Sequence, residues 1–127
     1  MKISITWPGG EHDFLLGIGE LRALQSACDA GPEQIFRRLG GDDWRVDDVL
    51  QTLRLGLIGA GMDAKKAASL VTRMYESHPK KMFNAPARLV LMASLVGDPD
   101  DPLGEAKGEP TPPENGGSAP STEPEPA

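Results

Sequence analysis

Beyond Gly97 the chain continues as "DPDDPLGEAKGEPTPPENGGSAPSTEPEPA", thirty residues in which Leu103 is the single large apolar side chain. Eight of the 12 prolines fall there, with eight carboxylates and one lysine. Such a segment has too little apolar surface to offset the entropy of ordering it, so residues 98–127 are expected to form a disordered, Pro/Glu-rich acidic tail. A fold must then be built from residues 1–97, as one domain with one modest core. Charge divides at the same point. The tail carries −7 (eight acidic, one basic), the body +1 (12 basic, 11 acidic), so the chain's net −6 belongs to its tail.

The body opens with strict alternation. In "KISITW", Ile3, Ile5 and Trp7 point one way and Ser4 and Thr6 the other, and "PGG" then breaks the run before "EHDFLL". A two-residue loop at Gly9-Gly10 would set Trp7 opposite His12, Ile5 opposite Phe14 and Ile3 opposite Leu16. A lone hairpin is barely stable in water, so its apolar face is expected to lie on helices. "GIGELR" lacks the third glycine of a dinucleotide fingerprint and no βαβ unit surrounds it; Gly17 and Gly19 are expected to lead the chain out of the strand into a helix starting at Glu20.

About five helices follow by period. The first places Leu21, Leu24, Ala27 and Cys28 together. A short second one starts at Pro32 after Gly31 and turns Ile35, Phe36 and Leu39 inward. The third has Val46, Val49, Leu50, Leu53, Leu57 and Ile58 on its stripe, Asp43 or Asp47 as cap, and Gly59 and Gly61 at its end. Asp63 is expected to cap a fourth, with Ala67, Leu70, Val71 and Met74 inward and Tyr75 near the rim. After a loop "PKKMF", residues 84–96 form the last, with Leu89, Val90, Ala93 and Val96 inward. The fold class is therefore α+β and mostly α, an N-terminal β-hairpin packed on about five helices.

The residues that could carry chemistry are scattered. His12 and His78 are far apart in sequence, and Cys28 is the one cysteine and falls on an apolar stripe, so no zinc spacing or disulfide framework arises. Asp42-Asp43 and Asp47-Asp48 bracket a helix start, where carboxylates complement the dipole, and lack the alternating ligands of a calcium loop. No enzyme activity, cofactor or metal is expected. For nucleic acid, a reading helix over Val46–Ile58 would offer only Arg54 as an interior base, and Arg37, Arg38 and Arg45 make a small patch; nucleic acid is not the expected partner. "MKISITWPGG" reaches Pro-Gly-Gly before any signal-peptide core, and no run approaches the roughly 20 apolar residues of a membrane span, so a cytoplasmic protein without a membrane partner is expected. Five residues are candidates for partner contact: Trp7 at the hairpin tip, Leu15 on its outer face, Trp44 in a polar turn, and Tyr75 and Phe83 near helix ends. Core packing would account for each; an exposed cluster of them would mark a binding surface.

"WPGGEHDFLLGIGELRALQSACDAGPEQIFRRL" followed by "WRVDDVLQTLRLGLIGAGM" resembles a family of small proteins encoded in gene transfer agents and related tailed-phage or prophage clusters. These are described as tail assembly chaperones and sometimes labelled tail tube proteins. The likeness spans about residues 2–96 and rests on the Gly-Ile-Gly-Glu-Leu exit from the hairpin, the Ala-Gly-Pro-Glu break at 30–33 and the helix ending at Gly59 to Gly61, in that order. The resemblance implies a non-catalytic assembly factor of the bacterial cytoplasm. It would bind the tape measure protein, help recruit tail tube protein and be missing from the mature particle, with self-association as a further expected interaction. A structural tail component (tube or connector subunit) and a small DNA-binding regulator are the alternatives.

Overall fold

The structure, a computed structural model, describes residues 1–97, which form one compact unit; the expected acidic tail lies outside the described residues. The order is β1 (Ile3–Trp7), β2 (Gly10–Phe14), α1 (Ile18–Cys28), α2 (Pro32–Gly40), α3 (Val46–Gly59), α4 (Ala64–Ser77), a 3-10 turn (Lys80–Phe83) and α5 (Asn84–Val96). A two-stranded antiparallel hairpin thus joins five helices, as the patterning predicts.

The hairpin register differs from expectation by two residues. Ile3 pairs with Phe14, Ile5 with His12 and Trp7 with Gly10. Pro8 and Gly9 make the turn, because proline is preset for its first central position, and Gly10 supplies a left-handed φ of 115° just after it. Side chains alternate with period two, so a two-residue shift leaves every one on its expected face. Ile5, Trp7 and Phe14 are buried, as is Leu16 just past β2.

α3 is the hub, packing against β2 and the other four helices. Its inner surface is broad: Asp48, Val49, Thr52, Leu53, Leu55, Gly56 and Leu57 are all buried, whereas Val46, expected inward, is half-exposed in the first turn. Gly59 does more than end the helix. A Cβ there would overlap the carbonyl oxygen of Leu15, and one on Gly56 would sit 2.9 Å from the Phe14 ring. The two glycines let the chain leaving β2 lie directly on α3, where the Leu15 amide donates to the Gly56 carbonyl (2.9 Å).

The helix ends refine the expected caps. α1 begins at Ile18, two residues early, and the Glu20 carboxylate accepts from the Gly17 amide (2.9 Å). Neither Asp43 nor Asp47 caps α3; Asp48 reaches back to the Arg45 amide (2.8 Å). Asp63 does cap α4, accepting from the Lys65 and Lys66 amides. In α5 the inward stripe is Ala87, Val90, Leu91 and Ala93, so Leu89 (47% exposed) and Val96 (74%) face out, contrary to expectation. That helix is apolar nearly all round, and its period alone does not choose a face. Ala27 of α1 is likewise exposed.

Candidate partner-binding surface

Three of the five candidate contact residues meet inside the protein. Trp7, Tyr75 and Phe83 are 5%, 6% and 0% exposed and belong to one aromatic cluster. Phe83, brought in by the 3-10 turn, has its ring centroid 5.0 Å from Tyr75, 6.2 Å from Trp7 and 6.2 Å from His78. Trp7 also meets Phe14 (5.9 Å) and His12 (5.8 Å), all edge to face. The Trp7 indole donates to Nδ1 of His12 (2.9 Å), which leaves the imidazole proton on Nε2. Lys80 closes the cluster from outside, donating to the Tyr75 carbonyl (2.6 Å) at the end of α4 with its ammonium 5.2 Å from that ring. The other two candidates, Leu15 and Trp44, are half-buried, Trp44 packing against the core edge.

A second buried group lies where α1, α2 and α3 meet. Arg38, expected in a small basic patch with Arg37 and Arg45, is turned inward and forks onto Asp48: Nε to Oδ2 at 2.9 Å and Nη2 to Oδ1 at 2.6 Å. The same guanidinium reaches the Cys28 carbonyl (3.4 Å). Asp48 holds the Arg38 guanidinium above its ordinary pKa mainly through this hydrogen bond. The Cys28 thiol lies beside the pair and donates to the Asp47 carbonyl (3.4 Å). Burial, and then the Asp48 charge, push that thiol up to about 12, so it is a packed core group and a poor nucleophile. The sequence signal for this pair was present: residue 38 shares a helical face with Ile35, and residue 48 sits beside Val49 on the α3 stripe.

The exposed surface includes an apolar groove along α2 and α5 and a cationic one along α4. Along α2 and α5, Phe36, Met92, Leu95 and Val96 line an open groove of about 250 Å³ with Glu33 and Arg37 on it. Arg88 covers the Phe36 ring at 4.3 Å. Along α4 runs a groove of about 390 Å³ whose lining includes Lys65, Lys66 and Arg73. Among the described residues, no three His, Cys, Asp or Glu side chains converge as a metal site would need, and no helix is long and apolar enough to cross a membrane.

The described body is thus a small, mostly helical domain with an aromatic cluster and an ion pair inside and open grooves along α2/α5 and α4. The family model described as "Phage tail tube protein, GTA-gp10" matches residues 1–97, the whole described body, and the chain belongs to this family of phage tail assembly chaperones and gene transfer agent tail proteins. No curated protein and no solved structure matches it significantly.

Proposed function

We propose that the protein is a non-catalytic tail assembly chaperone that binds the tape measure protein in the bacterial cytoplasm, assists recruitment of tail tube subunits and departs before the particle is complete. The family match over residues 1–97 carries this reading. The exposed groove between α2 and α5 supports it, since a long helical client laid along that groove would cover Met92, Leu95 and the 74% exposed Val96. Leu15 and Trp44 are proposed as further contacts at the margin of the core. Trp7, Tyr75 and Phe83 serve the same surface indirectly, by fixing the hairpin and the 3-10 turn.

The family description itself speaks of a tail tube protein, and that wording favours a second reading as a structural tail part. Against it, the described residues offer a single two-stranded sheet, little for a ring-forming tube wall. Co-expression of the full chain with the tape measure protein encoded beside it, a pull-down, and quantitative mass spectrometry of purified particles decide the matter. A soluble complex with the protein missing from particles is the expected result. Stoichiometric presence in particles would make it structural.

A further inference from the structure

Met62, Lys65, Lys66, Ser69, Leu70 and Arg73 line the groove along α4. Lys65, Lys66, Ser69, Leu70 and Arg73 share one stripe of α4, and Met62 joins them from the turn just before it. Met62 and Leu70 are half-buried and pack onto the core, forming an apolar floor, while Lys65, Lys66 and Arg73 are exposed along it. Among the described residues, none of these three cations has a carboxylate within ion-pair distance. The nearest acid in sequence, Asp63, is engaged in capping α4, and Glu76 stands one turn past Arg73 as the acidic end of the stripe. Through Met62 and Lys66 the groove continues into a second one, about 540 Å³, that reaches His12 and Asp13 of β2.

We propose that this face of α4 docks an acidic amphipathic helix of a partner protein, its apolar side chains on Met62 and Leu70 and its flanking carboxylates on Lys65, Lys66 and Arg73. The charge pattern selects the occupant, since a run of three unpaired cations beside an apolar floor is complementary to a helix with acids on either side of an apolar seam. The flexible thioether of Met62 suits such a floor because it adapts to the side chains it meets. Nucleic acid fits less well: the floor has no aromatic ring for a base to stack on, and the body as a whole carries only +1. The inference rests on the assembly-chaperone reading for the existence of a protein partner, and adds a second contact face, on α4 and separate from the α2/α5 groove, with the chemistry of the segment it takes.

The test uses the full chain, co-expressed with the neighbouring tape measure and tail tube proteins, and compares wild type with a Lys65→Glu/Lys66→Glu/Arg73→Glu variant. A control of equal charge change, Lys2→Glu/Arg22→Glu/Lys81→Glu, reverses exposed bases away from both grooves. All six side chains are exposed, and circular dichroism melts verify that both variants fold. The α4 variant is expected to weaken the complex by roughly tenfold or more and the control by less than about threefold. Cross-linking mass spectrometry should then place an acidic helical segment of the partner on α4. A complex that forms with wild type and is unchanged by the α4 variant overturns the docking site and leaves the chaperone reading standing. Absence of any wild-type complex removes both. If a 20-base-pair DNA duplex binds the wild type and is lost with the α4 variant while the protein complex persists, the face belongs to nucleic acid and the proposal fails.

Discussion

Two ends of the same core are closed by opposite means. Where the hairpin meets α4 and the 3-10 turn, Trp7, Phe14, Tyr75 and Phe83 pack edge to face, with centroids 5.0 to 6.2 Å apart. Where α1, α2 and α3 meet, the closing element is a buried ion pair, Arg38–Asp48. Ring contacts are short-ranged and tolerate small changes of shape. A buried charge tolerates almost none, because its stability depends on one partner in one geometry. The ionic end therefore specifies how three helices meet, and the aromatic end supplies adaptable apolar burial.

The comparison breaks most visibly at Asp48. Asp48→Ala leaves the Arg38 guanidinium buried without its counter-charge and the Arg45 amide without its cap, and is expected to cost about 3–5 kcal/mol. A body of this size has a total stability on the order of 5–15 kcal/mol, so urea unfolding followed by circular dichroism should find the variant at the edge of folding. The double change Arg38→Met/Asp48→Leu, which removes both charges, should recover most of the loss. A single-variant cost below about 1 kcal/mol would show that the ion pair does not hold the junction.

The sequence made one of these ends easier to read than the other. Alternation in residues 3–7 and the Pro-Gly-Gly break place the hairpin, and a register error of two leaves its faces intact because the pleat repeats every two residues. The helices were legible from period and punctuation, down to Asp63 as a cap. The ionic end is harder to read: Arg38 reads as part of a small basic patch with Arg37 and Arg45, and Asp48 as an acid serving a helix start, because arginine and aspartate are seldom buried unless paired. α5 shows the complementary failure, since a helix apolar nearly all round does not say which stripe turns in, and Leu89 and Val96 became visible as surface only in three dimensions. Of the candidate contact residues, Trp7, Tyr75 and Phe83 meet in the core because a 3-10 turn, where a loop was expected, carries Phe83 inward between Trp7 and Tyr75.

Cys28 sharpens the comparison through pH. Its thiol stays protonated in the folded state up to about 12, against an ordinary value of 9.0. Between those two values the folded state holds a proton that the unfolded chain has released, so stability falls as pH rises through that window, by up to about 1.4 kcal/mol per pH unit. Below pH 8 the effect vanishes. Urea midpoints at pH 8 and pH 10.5 measure it directly, and Cys28→Ala should flatten the slope. Equal slopes for wild type and Cys28→Ala would mean the thiol ionises as freely in the fold as outside it, and that the junction is wetter than its geometry states.

At the aromatic end the smallest change tests the claim of tolerance. The Tyr75 hydroxyl is buried and has no hydrogen-bond partner among the described residues, and burial raises its pKa above the ordinary 10.0. Tyr75→Phe keeps the ring against Phe83 and removes an unsatisfied polar group, so stability should be unchanged or higher by up to about 1 kcal/mol. The sign of the pH effect matches that of Cys28: the folded state keeps the phenol proton above pH 10, the unfolded chain does not, and Tyr75→Phe should remove the part of the alkaline loss that begins there. Since the two groups start to titrate a unit apart in the unfolded chain, their single variants separate the aromatic end from the ionic one in the same set of curves. A loss of more than about 1 kcal/mol on Tyr75→Phe at pH 7 would mean the hydroxyl is held by a directional bond, and the two ends of the core would then differ in degree and not in kind.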